Sequence, residues 1–277
     1  MKFSLVHPSR GRPEQAVKAA SEWRSRSSGE HDIEHLLSVD GNDPSLAQYR
    51  QIVPMGTRLI VEPNRSLVEA ANRAAAVSVG DVLIVVSDDF GCPENWDQSL
   101  ARVFGERRDI AVLVNDGLGA RILTLPILGR ELYRRLGYVY CPAYHGMFVD
   151  DDLTETARAM NVLVDARSLL FPHRHFTIGE STIDATYLRH NQPLSWWNGW
   201  RTFQKRRLDG FGAVAPDPEA RAAAARVDLY VRLRVAGSIV RRLWRTHLPK
   251  GLVDREHRLR NWALRTLERR LKLSAPL

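Results

Sequence analysis

The chain has 277 residues, 44% of them hydrophobic and 26% charged, which excludes wholesale disorder and a fibrous repeat. The length suits one large α/β domain carrying an appendage. The net charge of +8 is unevenly placed: residues 219–277 hold 15 Lys and Arg against 5 Asp and Glu, so residues 1–218 are slightly acidic.

No run approaches the roughly 18 apolar residues of a membrane span, and the N-terminal residues lack the apolar core of a secretory signal. Cys92 and Cys141 are too few for a disulfide framework and wrongly spaced for a zinc site. The expected location is cytoplasmic, with peripheral membrane attachment as an option.

In chain order, Lys2–His7 is predicted as a buried strand, broken by Pro8-Ser9-Arg10-Gly11-Arg12-Pro13. Pro13 suits the first turn of a helix running from Glu14 to about Arg26. Ile33–Val39 is a second strand, ended by the turn signal Asp40-Gly41-Asn42-Asp43-Pro44. Thr57–Val61 is a third, and Ser66–Val79 is an alanine-rich helix closed by Gly80-Asp81. Val82–Val86 is an unbroken β-favouring run, the mark of a parallel strand buried on both faces. It leads directly into Ser87-Asp88-Asp89. Helix Glu94–Phe104 and strand Ile110–Val114 follow.

Beyond this the rhythm weakens. Leu123–Leu136 reads as strand then helix, and Leu153–Met160 as a helix capped by Asp150-Asp151-Asp152. Asn161–Ala166 is a strand, Phe171–Phe176 a loop and Trp196–Leu208 a helix. Ala213–Pro218 is a linker to two arginine-rich amphipathic helices, Glu219–Thr246 and Asp254–Lys272. Strands alternating with helices predict an open parallel sheet, whose ligands sit beyond the carboxyl ends of the strands. Those ends carry His7–Arg12, Asp40–Asp43 and Ser87–Asp89. No GxGxxG or P-loop motif is present, which argues against a dinucleotide site or an NTPase.

These three termini, with Asn64, Ala70, Ala71-Asn72, Ala75, Gly80-Asp81, Pro93 and Trp96, resemble the nucleotide-sugar half of an inverting GT-A-fold glycosyltransferase. The resemblance spans residues 1–100 well and 110–212 loosely. It implies an α/β, GT-A-like open, mostly parallel sheet flanked by helices, with a basic helical C-terminal extension. The implied division is a catalytic domain at 1–212 (nucleotide-sugar half 1–115, acceptor half 116–212) and an Arg-rich region at 219–277.

The implied activity is metal-dependent, inverting sugar transfer from a nucleotide-diphosphate sugar, with UDP favoured, to an acceptor hydroxyl. A modified DNA base, a protein and an envelope glycan or lipid all stand as acceptors. A divalent cation, Mn²⁺ or Mg²⁺, stabilises the diphosphate leaving group in such a reaction and prefers carboxylate oxygen. The first acid of the usual DxD motif falls here on Val86 or Ser87. The resemblance assigns Asp89 to the metal, with His173 and His175 as further ligands. It assigns Ser9, Arg10, Arg12, Asp40, Asn72 and Asp88 to the donor. Val149-Asp150-Asp151-Asp152-Leu153 matches the helix start that supplies the base, which places Asp150 in that role with Asp151 in reserve. Read without the resemblance, both acidic groups also suit simple helix caps. Tyr138, Tyr140, Tyr144 and His145 suit either the acceptor side or the core.

Two other readings stand beside this one: a catalytically impaired nucleotide- or polyanion-binding protein on the same fold, or a related nucleotidyltransferase. The basic tail fits docking on the core, homo-oligomerisation, an anionic membrane surface or nucleic acid.

Overall fold

Strand β1 (Lys2–Ser9) is shielded from solvent from Phe3 onward. Both faces of the strand are covered, so it needs no polar one, and neighbours flank both edges. On one side β2 (Asp32–Asp40) pairs with it in parallel, and on the other β4 (Val82–Val85), also in parallel. The computed structural model describes residues 1–119, 121–174, 193–213 and residue 227. They fall into two compact units, Met1–Asn191 and Gln192–Leu277.

In the first unit, β1 leads into α1 (Pro13–Ser25), where Pro13 occupies a first-turn position that needs no N–H. Ala16, Ala19, Ala20 and Trp23 form its buried face. After β2 comes α2 (Leu46–Ile52), a short helix with no periodic signal long enough to read in sequence. The outer strand β3 (Thr57–Glu62) pairs in parallel with β2. Helix α3 (Leu67–Ala76) is capped by Ser66, whose hydroxyl accepts the Glu69 N–H at 3.2 Å. It stops at Ala76, three residues before the expected end.

Gly80 does not close that helix. It lies against β1, where its N–H donates to Ser4 Oγ at 2.8 Å. Asp81 is locked to the same strand, its N–H donating to Lys2 O at 2.7 Å and its carboxylate accepting Lys2 N at 2.8 Å. Every residue of β4 is buried, as its unbroken apolar run requires.

Helix α4 (Trp96–Phe104) follows, then β5 (Ala111–Asn115), β6 (Ile127–Gly129) and α5 (Arg130–Leu136). Helix α6 (Val149–Ala159) and β7 (Leu163–Leu170) complete the unit. The sheet order is β3-β2-β1-β4-β6-β5-β7. All pairings are parallel except those of β6, which runs antiparallel to both β4 and β5. The expected mostly parallel α/β sheet is therefore present. The core under it centres on Trp23, Trp96, Phe104 and Phe171. The two indoles meet edge to face at 5.1 Å, and each buried N–H finds a carbonyl, Trp23 on Phe90 O and Trp96 on Trp23 O.

A second expected boundary is also corrected. Helix α6 begins at Val149, not Leu153, so Asp150–Asp152 are its first turn and not its cap. The residue before it, Phe148, has φ +70°, a left-handed conformation that costs a non-glycine residue about 1–2 kcal/mol.

In the second unit α7 (Pro193–Leu208) carries Trp197 and Trp200, edge to face at 5.8 Å, and a short 3₁₀ turn at Gly210–Gly212. The linker at 214–218, His175 and, apart from residue 227, the two expected basic helices lie outside the described residues.

A β-carbon at Gly80 would stand 2.5 Å from Ser4 Oγ and 2.7 Å from Ser4 N. Backbone cannot yield there without parting β1 from β4. Gly80→Ala should lower unfolding stability in urea by about 1–3 kcal/mol. Gly119→Ala meets nothing within 4 Å and should stay within about 0.5 kcal/mol of the parent. Equal stability of the two variants would refute the close approach.

Candidate active site

Polar side chains collect where β1, β2 and β4 end. On β1 the apolar run gives way to His7, fully buried, and Ser9, 8% exposed. Buried polar groups need partners, and these two find one in Asp88, in the turn after β4. His7 Nε2 lies 2.9 Å from Asp88 Oδ1, and the Ser9 hydroxyl donates to Oδ2 at 3.0 Å. His7 Nδ1 in turn lies 2.9 Å from His35 Nε2, the two rings stacked at 5.2 Å. Ser9 Oγ also meets Tyr49 OH at 2.7 Å, and that phenol oxygen accepts the Arg12 N–H at 3.0 Å. Asp88 thus faces β1.

Asp89 turns the other way. Its Oδ1 accepts the Ser87 hydroxyl at 2.6 Å, and its Oδ2 lies 3.3 Å from His173 Nε2. His173 is brought there by the chain leaving β7: its N–H donates to Asp116 O, and its ring stacks on Phe90 at 4.2 Å. The next residue, Arg174, donates its N–H to Asp89 O at 2.8 Å and forks both guanidinium nitrogens onto Glu22 of α1, at 2.7 Å each. That fork holds the Glu22 carboxyl below its usual range. Burial works to raise the Asp89 pKa. The hydrogen bond and charge that His173 offers when protonated, the Ser87 hydroxyl and the charge of Arg12 outweigh it, and the value falls to about 2. Asp89 is therefore an ionised carboxylate beside an imidazole. The carboxylate fits Mg²⁺ or Mn²⁺, which take remaining ligands from phosphate and water, and the imidazole nitrogen beside it favours the transition metal Mn²⁺ of the two. No group of three potential metal ligands occurs among the described residues.

At the end of β2, Asp40 is buried and pairs with Arg10, whose Nη1 also donates to Asn42 Oδ1 at 2.8 Å. Asp43 holds the turn by accepting the N–H groups of Gly11 and Ser45, each at 2.7 Å.

A second cluster surrounds the start of α6. Asp150 Oδ1 is shut off from solvent without a hydrogen-bond partner among the described residues. Burial, with the neighbouring charge of Asp151, drives its pKa up to about 8, against the pull of the Tyr140 hydroxyl. Burial also raises Asp151. Asp152 points inward and accepts Tyr144 OH at 3.0 Å. Asn72 belongs to this cluster. Its Oδ1 accepts Val139 N and Tyr140 N at 2.9 and 3.0 Å, and its Nδ2 donates to Tyr140 O at 2.7 Å. It therefore holds the tyrosine segment beside Asp150, whereas the resemblance had assigned it to the donor.

Hydrogen bonds tie the two clusters together. His173 N–H donates to Asp116 O, and Asp116 Oδ2 accepts the Thr124 hydroxyl at 2.8 Å. The adjacent Leu123 N–H donates to Thr154 Oγ1, whose hydroxyl donates to Asp150 O.

The structure brings Ser9, Asp88, Asp89 and His173 together, sets Arg10 on Asp40, and places Asp150 and Asp151 apart with Asn72. Neither acidic group caps a helix, since α4 starts only at Trp96 and the cap of α6 is Phe148. His35, Tyr49, Glu22 and Arg174 were not picked out from sequence. The contacts that matter for them join segments up to 152 residues apart, which no local pattern records.

No protein-family profile and no curated relative matches the chain. Solved structures do. The crystal structure of S. aureus TarS matches with a TM-score of 0.53 at 13% identity, covering 86% of this chain and 43% of TarS. The fragment TarS 1–349 matches with a TM-score of 0.50 at 14% identity, covering 81% of this chain and 90% of the fragment. That fragment has also been crystallised in complex with UDP-GlcNAc. The chain thus spans under half the length of full TarS. At this identity the likeness is one of architecture, and the architecture is the GT-A-type glycosyltransferase fold that the sequence resembles.

Proposed function

We propose that the protein is a glycosyltransferase that moves a sugar from a nucleotide-diphosphate sugar to an acceptor hydroxyl with inversion. The observation that carries this is the meeting of Asp89 and His173, 84 residues apart in sequence, beside Asp88 at the carboxyl edge of the sheet. Ligands of open α/β sheets bind at that edge.

In this reading Arg10 and Arg12 meet diphosphate oxygens, and Asp40 and Asp88 accept hydrogen bonds from the nucleoside or sugar hydroxyls. Asp89 and His173 would hold a divalent cation, which when bound offsets the charge that builds on the diphosphate. Asp150 takes the proton of the acceptor hydroxyl. The freed oxygen forms its bond to the anomeric carbon on the face opposite the leaving group. As that bond forms, the carbon–oxygen bond to the diphosphate breaks and its electron pair leaves with the phosphate. A base with a pKa near 8 is well matched to this proton transfer at neutral to mildly alkaline pH.

Thermal shift with a panel of nucleotide sugars and Mn²⁺ tests the donor, starting with UDP-sugars, since a ligand that binds only the folded state raises its stability. Asp89→Asn should remove the metal-dependent part of the shift and lower turnover by about 100-fold or more. If no nucleotide sugar shifts the parent protein, the reading fails. If binding is tight but neither hydrolysis nor transfer occurs, the protein is a binding relative on the same fold.

Asp150→Asn should lower turnover by about 10²- to 10⁴-fold and leave the donor dissociation constant nearly unchanged. Parent turnover should rise with pH and level off above about 8, as the carboxylate is freed. The stability consequence has the opposite sign. A carboxyl whose folded pKa is raised from 3.8 to about 8 loses stability as pH climbs between those values. Asp150→Asn should therefore melt higher than the parent at pH 8 and match it at pH 4. If Asp151→Asn is crippling and Asp150→Asn is not, the base is Asp151.

A further inference from the structure

We propose that two one-way chains of hydrogen bonds end on the two oxygens of Asp88, and that His7, His35 and Tyr49 are positioning residues that hold this carboxylate and the 9–12 turn as one unit. The functional part of the inference rests on the reading of Asp88 as a donor-binding group.

The direction of each chain follows from counting protons. A carboxylate accepts, so in the proposed order His7 donates from Nε2 to Asp88 Oδ1 at 2.9 Å. With that one proton on the ring, Nδ1 is an acceptor, and its partner at 2.9 Å, His35 Nε2, is the donor. His35 is 2% exposed, and burial pushes its pKa well below the ordinary value, so it carries a single ring proton to give.

The second chain obeys the same rule. Ser9 has one hydroxyl proton, which goes to Asp88 Oδ2 at 3.0 Å. Its oxygen is then the acceptor for Tyr49 OH at 2.7 Å. The tyrosine oxygen is left to accept the Arg12 N–H at 3.0 Å, a backbone donor at the start of α1 that the helix itself leaves without a partner.

His7 and Tyr49 are fully buried, and Ser9 nearly so. At such sites water cannot replace a lost partner, and successive bonds strengthen one another. The two chains draw on β1, β2, α1 and α2, and both end on one carboxylate. The turn bearing Arg10 and Arg12 is thereby set relative to Asp88. Removing the Tyr49 hydroxyl should disturb donor binding although Tyr49 itself lies a residue away from the carboxylate.

Two measurements on the full chain decide this. In long-range ¹H–¹⁵N spectra of protein labelled on its 9 histidines, with His7→Gln and His35→Gln spectra to assign the signals, both rings should be neutral with the proton on Nε2. A proton on Nδ1 of His7, or on both its nitrogens, overturns the first chain. Calorimetric titration with a UDP-sugar and Mn²⁺ reads the second. Tyr49→Phe and Ser9→Ala should each weaken binding about 3- to 10-fold, and the double variant no more than the worse single one. Factors that multiply would mean the two residues act independently and would overturn that chain. His7→Gln keeps an N–H for Asp88 and should bind better than His7→Leu; equal losses would make His7 mere packing. If the parent binds no nucleotide sugar, the donor reading and the functional part of this proposal fail together, and the histidine spectra still decide the proton order.

Discussion

Strand β1 is hydrogen-bonded along both edges, and the site is a consequence of that position. A strand that is also buried on both faces should be apolar throughout, and β1 is apolar at Phe3, Leu5 and Val6. The exceptions toward its far end, His7 and Ser9, cannot be solvated where they lie. They have to be satisfied by neighbours, and the neighbours within reach are Asp88 beyond β4, His35 on β2 and Tyr49 on α2. Burial of a few polar groups on one strand thus pins the ends of separate segments to a common point. Gly80 serves the same end from the other side, since its missing β-carbon is what lets the chain entering β4 lie against Ser4.

The proposed diphosphate site is lined largely by acids, which needs a physical account. Isolated buried carboxylates are expensive, but these are compensated one by one. Asp40 has Arg10, Asp43 has two backbone N–H groups, Asp88 has His7 and Ser9, and Asp89 has Ser87 and His173. The slight acidity of residues 1–218 is therefore a poor guide to what this edge attracts, because the acids are already matched. Asp150 shows the contrary case. It is the same residue type, but its Oδ1 is buried without a partner, and its pKa moves up where that of Asp89 moves down. Neighbours, not residue identity, separate a fixed anion from a group able to take a proton.

The sheet was legible in the sequence where burial leaves a one-dimensional trace. Val82–Val86 announced a buried central strand, which proves parallel to β1 but antiparallel to β6, and Asp40–Pro44 announced a strand end. The acids of the site were legible because they follow those strands. Helix α2 was not, since seven residues held mainly by Tyr49 carry too short a period to detect. The start of α6 was misplaced because Asp-Asp-Asp reads as a cap, whereas the helix enters through a left-handed Phe148. The clamp between Arg174 and Glu22 left no trace at all, being defined only once β7 has returned the chain to α1.

The cost of the Asp150 arrangement explains the bracing around it. A carboxyl with one oxygen shut off from solvent and unpartnered among the described residues, and a left-handed phenylalanine two residues earlier, both favour rearrangement of the helix start. Each escape is blocked by a separate contact. Thr154 ties the Asp150 carbonyl to Leu123, and Asn72 grips the backbone of Val139 and Tyr140 with three hydrogen bonds. The Leu123 segment is joined through Thr124 and Asp116 to His173. Strain at the proposed base is thus resisted by the same scaffold that sets His173 against Asp89. A change that relaxed Asp150 by freeing this segment would also loosen the support under the Asp89–His173 pair, so the two halves of the site cannot drift independently.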